Sequence, residues 1–341
     1  MQALVVERPG VAHISEVATP EPGPGEVLVR VAAAGICGSD LELLDGTRPA
    51  AYVRYPVVPG HEWAGTVAEA GPGVRGVAPG DLVVAEGFRS CGECDRCREG
   101  LTNLCSSGYA ETGFTHPGAF AELVAVPARL IHRLPAGADL EAAALLEPAA
   151  CVAAGLLDAR LRPGLRAAVV GSGTLGLLAV AMLALASPSR LALVGSRQAR
   201  LSLGRRLGAT ETWDIHAGLP GSLDGSFDLV FEAANRPEGS VTALALARRG
   251  GSVVLEGISG AAGPTLNGDQ ITLKHLQVRG VFGASSAAWT WAVELFAGGR
   301  LPLGELVSHR FPLQDFATAF DTLRDRQGGA VKVELLPTPG R

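Results

Sequence analysis

Ala167-Ala-Val-Val-Gly171-Ser-Gly173-Thr-Leu-Gly176 reads as a buried strand, a G-x-G-x-x-G turn and the opening of a helix that runs on through Ala186. Such a turn aims the backbone N–H groups of Gly171, Gly173, Thr174, Leu175 and Gly176 from a helix N-terminus, where the pyrophosphate of a dinucleotide binds. In a chain with 45 glycines the glycine pattern alone is a weak signal, so its surroundings decide. Residues 191–194, 227–231 and 252–255 read as later strands and 276–281 as the sixth, with helical stretches between them. Strands alternating with helices predict a doubly wound parallel α/β sheet.

Outward from that core the texture changes. Residues 1–134 are short alternating apolar runs broken by Gly and Pro clusters, which predicts an all-β, barrel-like region. From Ala284 a helix through Trp289 and Trp291 leads into a Pro-containing tail and a strand at 330–335, which is expected to return to the first domain. The expected division is 1–150 as a β-rich domain, 151–284 as the dinucleotide-binding domain and 285–341 as the returning segment. Two cores suit 341 residues better than one.

Only 18% of the residues are charged, below the roughly 25% usual in soluble domains, which points to extensive buried surface. A net charge of −5 with no block of like charges gives nucleic acid or an anionic membrane no electrostatic foothold, so a small-molecule partner is expected. The N-terminal MQALVVERPG lacks the basic and apolar regions of a secretory signal, which points to a cytoplasmic address. The most apolar run, 175–186, is far short of the roughly 20 residues that span a bilayer.

Cys91, Cys94, Cys97 and Cys105 form C-x2-C-x2-C-x7-C, four soft thiolates in one loop. That set suits a closed tetrahedral zinc with no position open to substrate, hence a structural role. An iron–sulfur cluster would call for a proline after the last cysteine or a second cluster motif, and neither is present. A nucleic-acid-binding zinc ribbon would need a basic face, whereas the charges between these cysteines nearly cancel.

A second constellation is Gly35-Ile-Cys37-Gly-Ser39-Asp40 with Gly60-His61-Glu62-Trp-Ala-Gly65, and a further carboxylate, Glu147, in Leu146-Glu-Pro148. A thiolate, an imidazole and a carboxylate suit a catalytic zinc that keeps one position open. Taken singly, Cys37 or His61 reads as core packing, but adjacent His61 and Glu62 would burden a core strand with two polar groups. In the dinucleotide region the second strand ends not in the acid that binds an NAD ribose but in Gly195-Ser196-Arg197, with Arg200 a turn later. Ser196, Arg197 and Arg200 are therefore candidates for a 2′-phosphate, and NADP(H) is expected over NAD(H).

The two cysteine-bearing motifs, their order and the glycine pattern resemble the zinc-containing medium-chain dehydrogenase/reductase (alcohol dehydrogenase) family over essentially the whole chain. Cys37-Gly-Ser-Asp40 and Glu147-Pro148 are most similar to its polyol, threonine and sugar or cyclitol dehydrogenases. The resemblance implies a GroES-like catalytic domain, a Rossmann domain, two Zn2+ per chain, and hydride transfer between NADP(H) and a secondary alcohol or ketone. It implies that Cys37, His61 and either Glu62 or Glu147 ligate the catalytic zinc, leaving open which carboxylate does so. It also makes Ser39 the hydroxyl that accepts the alcohol proton. Many relatives continue that relay to a histidine five residues after the ligand cysteine, where this chain has Glu42. A homotetramer or homodimer is implied as well. The competing reading is a zinc-free reductase or dinucleotide-binding protein on the same fold.

Overall fold

In the computed structural model, which describes residues 1–159, 161–260, 265–325 and 328–337, the alternating runs of the N-terminal part become short strands. They are β1 (Gln2–Arg8), β2 (Val11–Glu16), β3 (Glu26–Ile36), β4 (Glu62–Ala70), β5 (Leu82–Ala85), β6 (Leu123–Pro127) and β7 (Ile131–Arg133). The middle of the chain supplies β8 (Arg166–Val170), β9 (Arg190–Gly195), β10 (Glu211–Asp214), β11 (Phe227–Glu232), β12 (Ala247–Leu255) and β13 (Gln277–Gly280). The tail supplies β14 (Val307–Pro312) and β15 (Lys332–Leu336). The chain falls into two units, one of Met1–Glu147, Ala284–Gly299 and Leu303–Arg341, the other of Pro148–Gly283 and Arg300–Pro302.

The first unit is built on a mixed sheet in the order β14-β15-β3-β4-β5-β7, with β6 also on β3. Its pairs are antiparallel except β14 with β15. Val27, Val29, Val31, Trp63, Phe120, Val124 and Leu335 meet in its core. Past Val31, β3 is buried almost continuously, and there its side chains shrink to Ala33, Ala34 and Gly35 so that neighbours can cover both faces. Register then joins three element ends: Gly35 pairs with Glu62 of β4, and Ile36 with Val333 of β15.

The second unit is a six-stranded sheet in the order β10-β9-β8-β11-β12-β13, every pair parallel. In chain order that is 3-2-1-4-5-6, the arrangement of dinucleotide-binding sheets, with its switch point between β8 and β11. The helix Thr174–Ala184 is buried from Gly176 through Leu183, so its apolar run lacks a polar face. An added Cβ at Gly176 would lie 1.9 Å from the Gly171 carbonyl oxygen, so only glycine lets this helix start so close to the turn. The strand at 276–281 is indeed sixth, as β13, but the third strand, β10, was not foreseen. Its Glu-Thr-Trp-Asp sequence has no apolar alternation. Among the described residues no helix is long and apolar enough to cross a membrane.

Candidate active site

The four loop cysteines come together around the short helix Asp95–Arg98, their sulfurs all within 4.8 Å of one another. Cys91 and Cys97 Sγ are 3.9 Å apart, as are Cys94 and Cys105 Sγ. That spacing rules out a disulfide and matches the edge of a tetrahedron with metal–sulfur bonds of about 2.3 Å. Backbone N–H groups of Glu93 and Cys94 donate to Cys91 Sγ, and that of Cys91 to Cys105 Sγ. The Ser106 hydroxyl and backbone N–H groups pull the Cys94 thiol down to about 5, favouring the thiolate a metal needs.

The second group forms where β3, β4 and β15 meet. Cys37 follows the end of β3 and N-caps the helix Gly38–Asp45; His61 directly precedes β4, which Glu62 opens. Donor atoms of Cys37, His61 and Glu62 lie within 4.8 Å of one another. Asp40, fully buried, accepts a hydrogen bond from the Cys37 backbone N–H at 2.8 Å through Oδ2 and turns Oδ1 toward His61 Nδ1, 3.6 Å away. With Nδ1 turned to Asp40, Nε2 is the imidazole nitrogen left to ligate, the outer-sphere arrangement that metal-bound histidines use. Burial works against a charged His61, but Asp40 and Cys37 outweigh it and raise its proton affinity, so without an ion the imidazole holds a proton that a metal would displace. A soft thiolate, an imidazole and a carboxylate fit a catalytic zinc.

Glu147 lies in the first turn of the helix Leu146–Leu157 and outside that tight group. The protein packed around it pushes its carboxyl up to about 7, with Glu62 and Glu111 adding to the rise and His61 opposing it. Ser39 and Glu42 occupy the helix Gly38–Asp45 three residues apart. The Glu42 carboxylate, about half-exposed, stands 4.0 Å from Arg48 Nη1.

Several residues here went unread in the sequence. Glu111 is buried and its carboxyl is raised, chiefly by burial. The Tyr109 hydroxyl donates to it, and Arg48 Nη2 donates to Tyr109 at 2.7 Å and stands 3.6 Å from Glu111. The Arg48 guanidinium lies 3.7 Å over the Phe114 ring, and that ring packs against His61 at 4.8 Å. Lys332 of β15, also buried, donates to the Glu62 carboxylate. Of the aromatic residues, Trp63 belongs to the core, Trp289 stacks on His132 and Phe88 packs against Tyr109.

In the second unit, Gly171, Gly173, Thr174, Leu175 and Gly176 form the turn from β8 into the helix Thr174–Ala184, with Gly173 as its N-cap. Ser196 follows β9, Arg197 N-caps the helix Gln198–Arg206, and Arg200 lies in that helix's first turn.

Residues 23–136 match the model of the alcohol dehydrogenase GroES-like domain, and residues 174–298 that of zinc-binding dehydrogenases. An L-threonine 3-dehydrogenase of Bacillus velezensis is 33% identical over 96% of this chain and 95% of its own. The chain belongs to the zinc-binding, medium-chain alcohol dehydrogenase family. A sorbitol dehydrogenase of Halalkalibacterium halodurans in that family is 31% identical over 99% of both chains. A dehydrogenase structure from Sinorhizobium meliloti 1021, named for zinc binding and bound to NADP, superposes with a TM-score of 0.91 at 33% identity, covering 98% of this chain and 99% of that one. An Escherichia coli CFT073 alcohol dehydrogenase complexed with NADH gives 0.89 at 26% identity, covering 98% and 99%. This alcohol dehydrogenase is thus a zinc-dependent enzyme that acts on CH–OH groups of small alcohols with a nicotinamide dinucleotide. Its two donor sets fit the closed structural zinc and the open catalytic one.

Proposed function

We propose that this dehydrogenase interconverts a polyhydroxylated secondary alcohol, a polyol, sugar or cyclitol, with its ketone, and prefers NADP(H) to NAD(H). The observation that carries the substrate reading is the Arg48–Tyr109–Glu111 group, packed against His61 through Phe114. The buried Glu111 carboxylate has room to accept more hydrogen bonds than the one from Tyr109, which favours a substrate with extra hydroxyls over an apolar alcohol.

Two features support NADP. An added Cβ at Gly195, the end of β9, would lie 2.4 Å from Ser172 Oγ of the glycine turn, so the acid that would hold an NAD ribose has no room there. Arg200 is lowered to about 10, first by burial and then by the positive charge of Arg197. Two guanidiniums held close enough to repel one another form a place for a dianionic phosphate.

Cys37, His61 and Glu62 would hold a zinc ion, which would supply the Lewis acidity that eases loss of a hydroxyl proton, and the turn at residues 171–176 would hold the dinucleotide that would supply hydride-transfer chemistry. Asp40 holds the Cys37 backbone by a hydrogen bond and sets its other carboxylate oxygen toward His61 Nδ1, which leaves Nε2 for a metal. Ser39 receives the hydroxyl proton. Glu42, at i+3 on the same helix face and reaching solvent, hands it on in place of the relatives' histidine. Family membership supports a homodimer or homotetramer, with β13 one of the two edge strands of the parallel sheet among the described residues.

Measuring kcat/KM for polyols, sugars, cyclitols and simple secondary alcohols with each cofactor tests both preferences. The expected result is a polyhydroxylated substrate and NADP ahead by about tenfold or more. Equal values for NADP and NAD, or a simple alcohol ahead, would overturn the respective half.

A further inference from the structure

Lys332 opens β15 and is 3% exposed, a depth at which a lysine needs a partner. Its Nζ donates to the Ile36 carbonyl at 3.2 Å and to Glu62 Oε2. The fold makes room for that pair. An added Cβ at Gly35, directly across from Glu62, would lie 2.5 Å from Glu62 Oε2 and 3.3 Å from Lys332 Cδ. Besides Glu62, the ammonium acts electrostatically on Cys37 and Glu147. It is a fixed cation set against the anions of a cation site.

We propose that Lys332 is a positioning residue that occupies one carboxylate oxygen of Glu62, so that Glu62 offers a bound metal a single oxygen and the fourth coordination position stays open. A carboxylate with both oxygens free can bind a divalent ion through two, which raises the coordination number to five once solvent is counted and crowds the place a substrate hydroxyl needs. Lys332 blocks that mode sterically, by holding Oε2, and electrostatically, by weakening the pull of Glu62 on the ion. It also distinguishes the two carboxylates near the site: Glu62 is held in the tight group with Cys37 and His61, and Glu147 is left outside it. The inference rests on the reading of Cys37, His61 and Glu62 as the catalytic zinc site.

Removing a buried lysine usually loosens a protein, whereas here it tightens the metal, because a positive charge a few ångströms from a divalent cation disappears and a second oxygen is released. The test uses the full-length holoenzyme and its K332M and K332R variants. Zinc release to a chromophoric chelator is followed in time, the catalytic phase being the one absent from C37S. Visible absorption is recorded after cobalt replaces that zinc. K332M is expected to keep two metals per chain, to release the catalytic one about tenfold more slowly or slower still, and to show the weaker cobalt bands of a five-coordinate ion. K332R is expected to match the wild type. In K332M/E62Q, where an amide has one oxygen to give, the four-coordinate spectrum should return. If K332M does not fold, K332Q, which keeps a donor for Ile36, carries the same measurements with the same expected direction. Release as fast as wild type, or an unchanged cobalt spectrum in the folded variant, would overturn the role of Lys332 alone. A wild-type chain that binds only one metal would overturn the site reading and this inference with it.

Discussion

Glu334 sits two residues beyond Lys332 on β15, wholly buried, with neither carboxylate oxygen hydrogen-bonded among the described residues and Arg310 Nε 3.9 Å away. Burial pushes its carboxyl up to about 8, against the opposing pull of Arg310 and Lys332. An unfolded chain would ionise it near 4.5. Between those values the folded protein holds a proton that the unfolded chain has released, so the contribution of Glu334 to stability is greatest below about pH 4.5 and is lost as pH rises through 8. The slope is about 1.4 kcal/mol per pH unit, and the full loss above pH 8 is about 5 kcal/mol. Glu334→Gln keeps the shape and cannot ionise. From pH 6 to pH 9 the variant should therefore gain about 3 kcal/mol on the wild type. In a unit of about 200 residues that widens the gap in Tm by roughly 5–10 °C. The assay is thermal unfolding of both proteins, zinc-loaded, at each pH unit from 6 to 9. Taking the difference cancels titrations common to both, and any fixed penalty for the amide shifts every point equally. A Tm gap that is the same at pH 6 and pH 9 would refute the buried, protonated carboxyl.

Asp228, on β11, accepts from the Arg166 backbone N–H at 2.8 Å, Arg166 Nε at 3.2 Å and Arg248 Nε at 2.5 Å, tying β11 to β8 and β12. Asp228→Asn should destabilise the second unit by about 1.5–3 kcal/mol, read by urea unfolding; a cost under about 0.5 kcal/mol would mean these surface-flanked charges are screened. Glu42→Gln should lower kcat and remove a group from its pH profile while leaving zinc content at two per chain. An unchanged profile would make Glu42 a solvated charge and leave Ser39 to deliver its proton to water.

Both fold classes were legible because their periodicities differ. The glycine turn after 167–170 and the buried run after it anchored the parallel sheet, and β8 contains that strand with Arg166 added at its start. The four-cysteine lobe was legible from spacing, since its ligands, all between Cys91 and Cys105, need no distant partner. Spacing gave no help in choosing between Glu62 and Glu147 as ligand, because that depends on where the helix Leu146–Leu157 starts relative to β4. Register puts Glu62 opposite Gly35, within reach of Cys37. β12 begins earlier than expected, at Ala247 rather than Ser252, because a register shift against β11 carries Arg248 and Arg249 through pairing that two arginines and two glycines do not advertise.

The tail shows why the rest stayed hidden. Val331-Lys-Val-Glu-Leu335 alternates as a half-exposed strand does, and alternation assigns Lys332 and Glu334 to solvent. In the fold both faces of β15 are covered, Lys332 and Glu334 as fully as Val333 and Leu335. Lys332 on the polar face of that strand meets the Glu62 carboxylate and the Ile36 carbonyl at the end of β3, and Glu334 beside it is buried with its proton held. Period-two patterning reports that two faces differ, and nothing in it says that the polar one must be wet. A polar face can be buried when another polar face is there to receive it, and such meetings are where catalytic sites form. Arg48, Tyr109 and Glu111 fit the same account. Each looked like loop chemistry until the chain folded the three together behind Phe114 and His61.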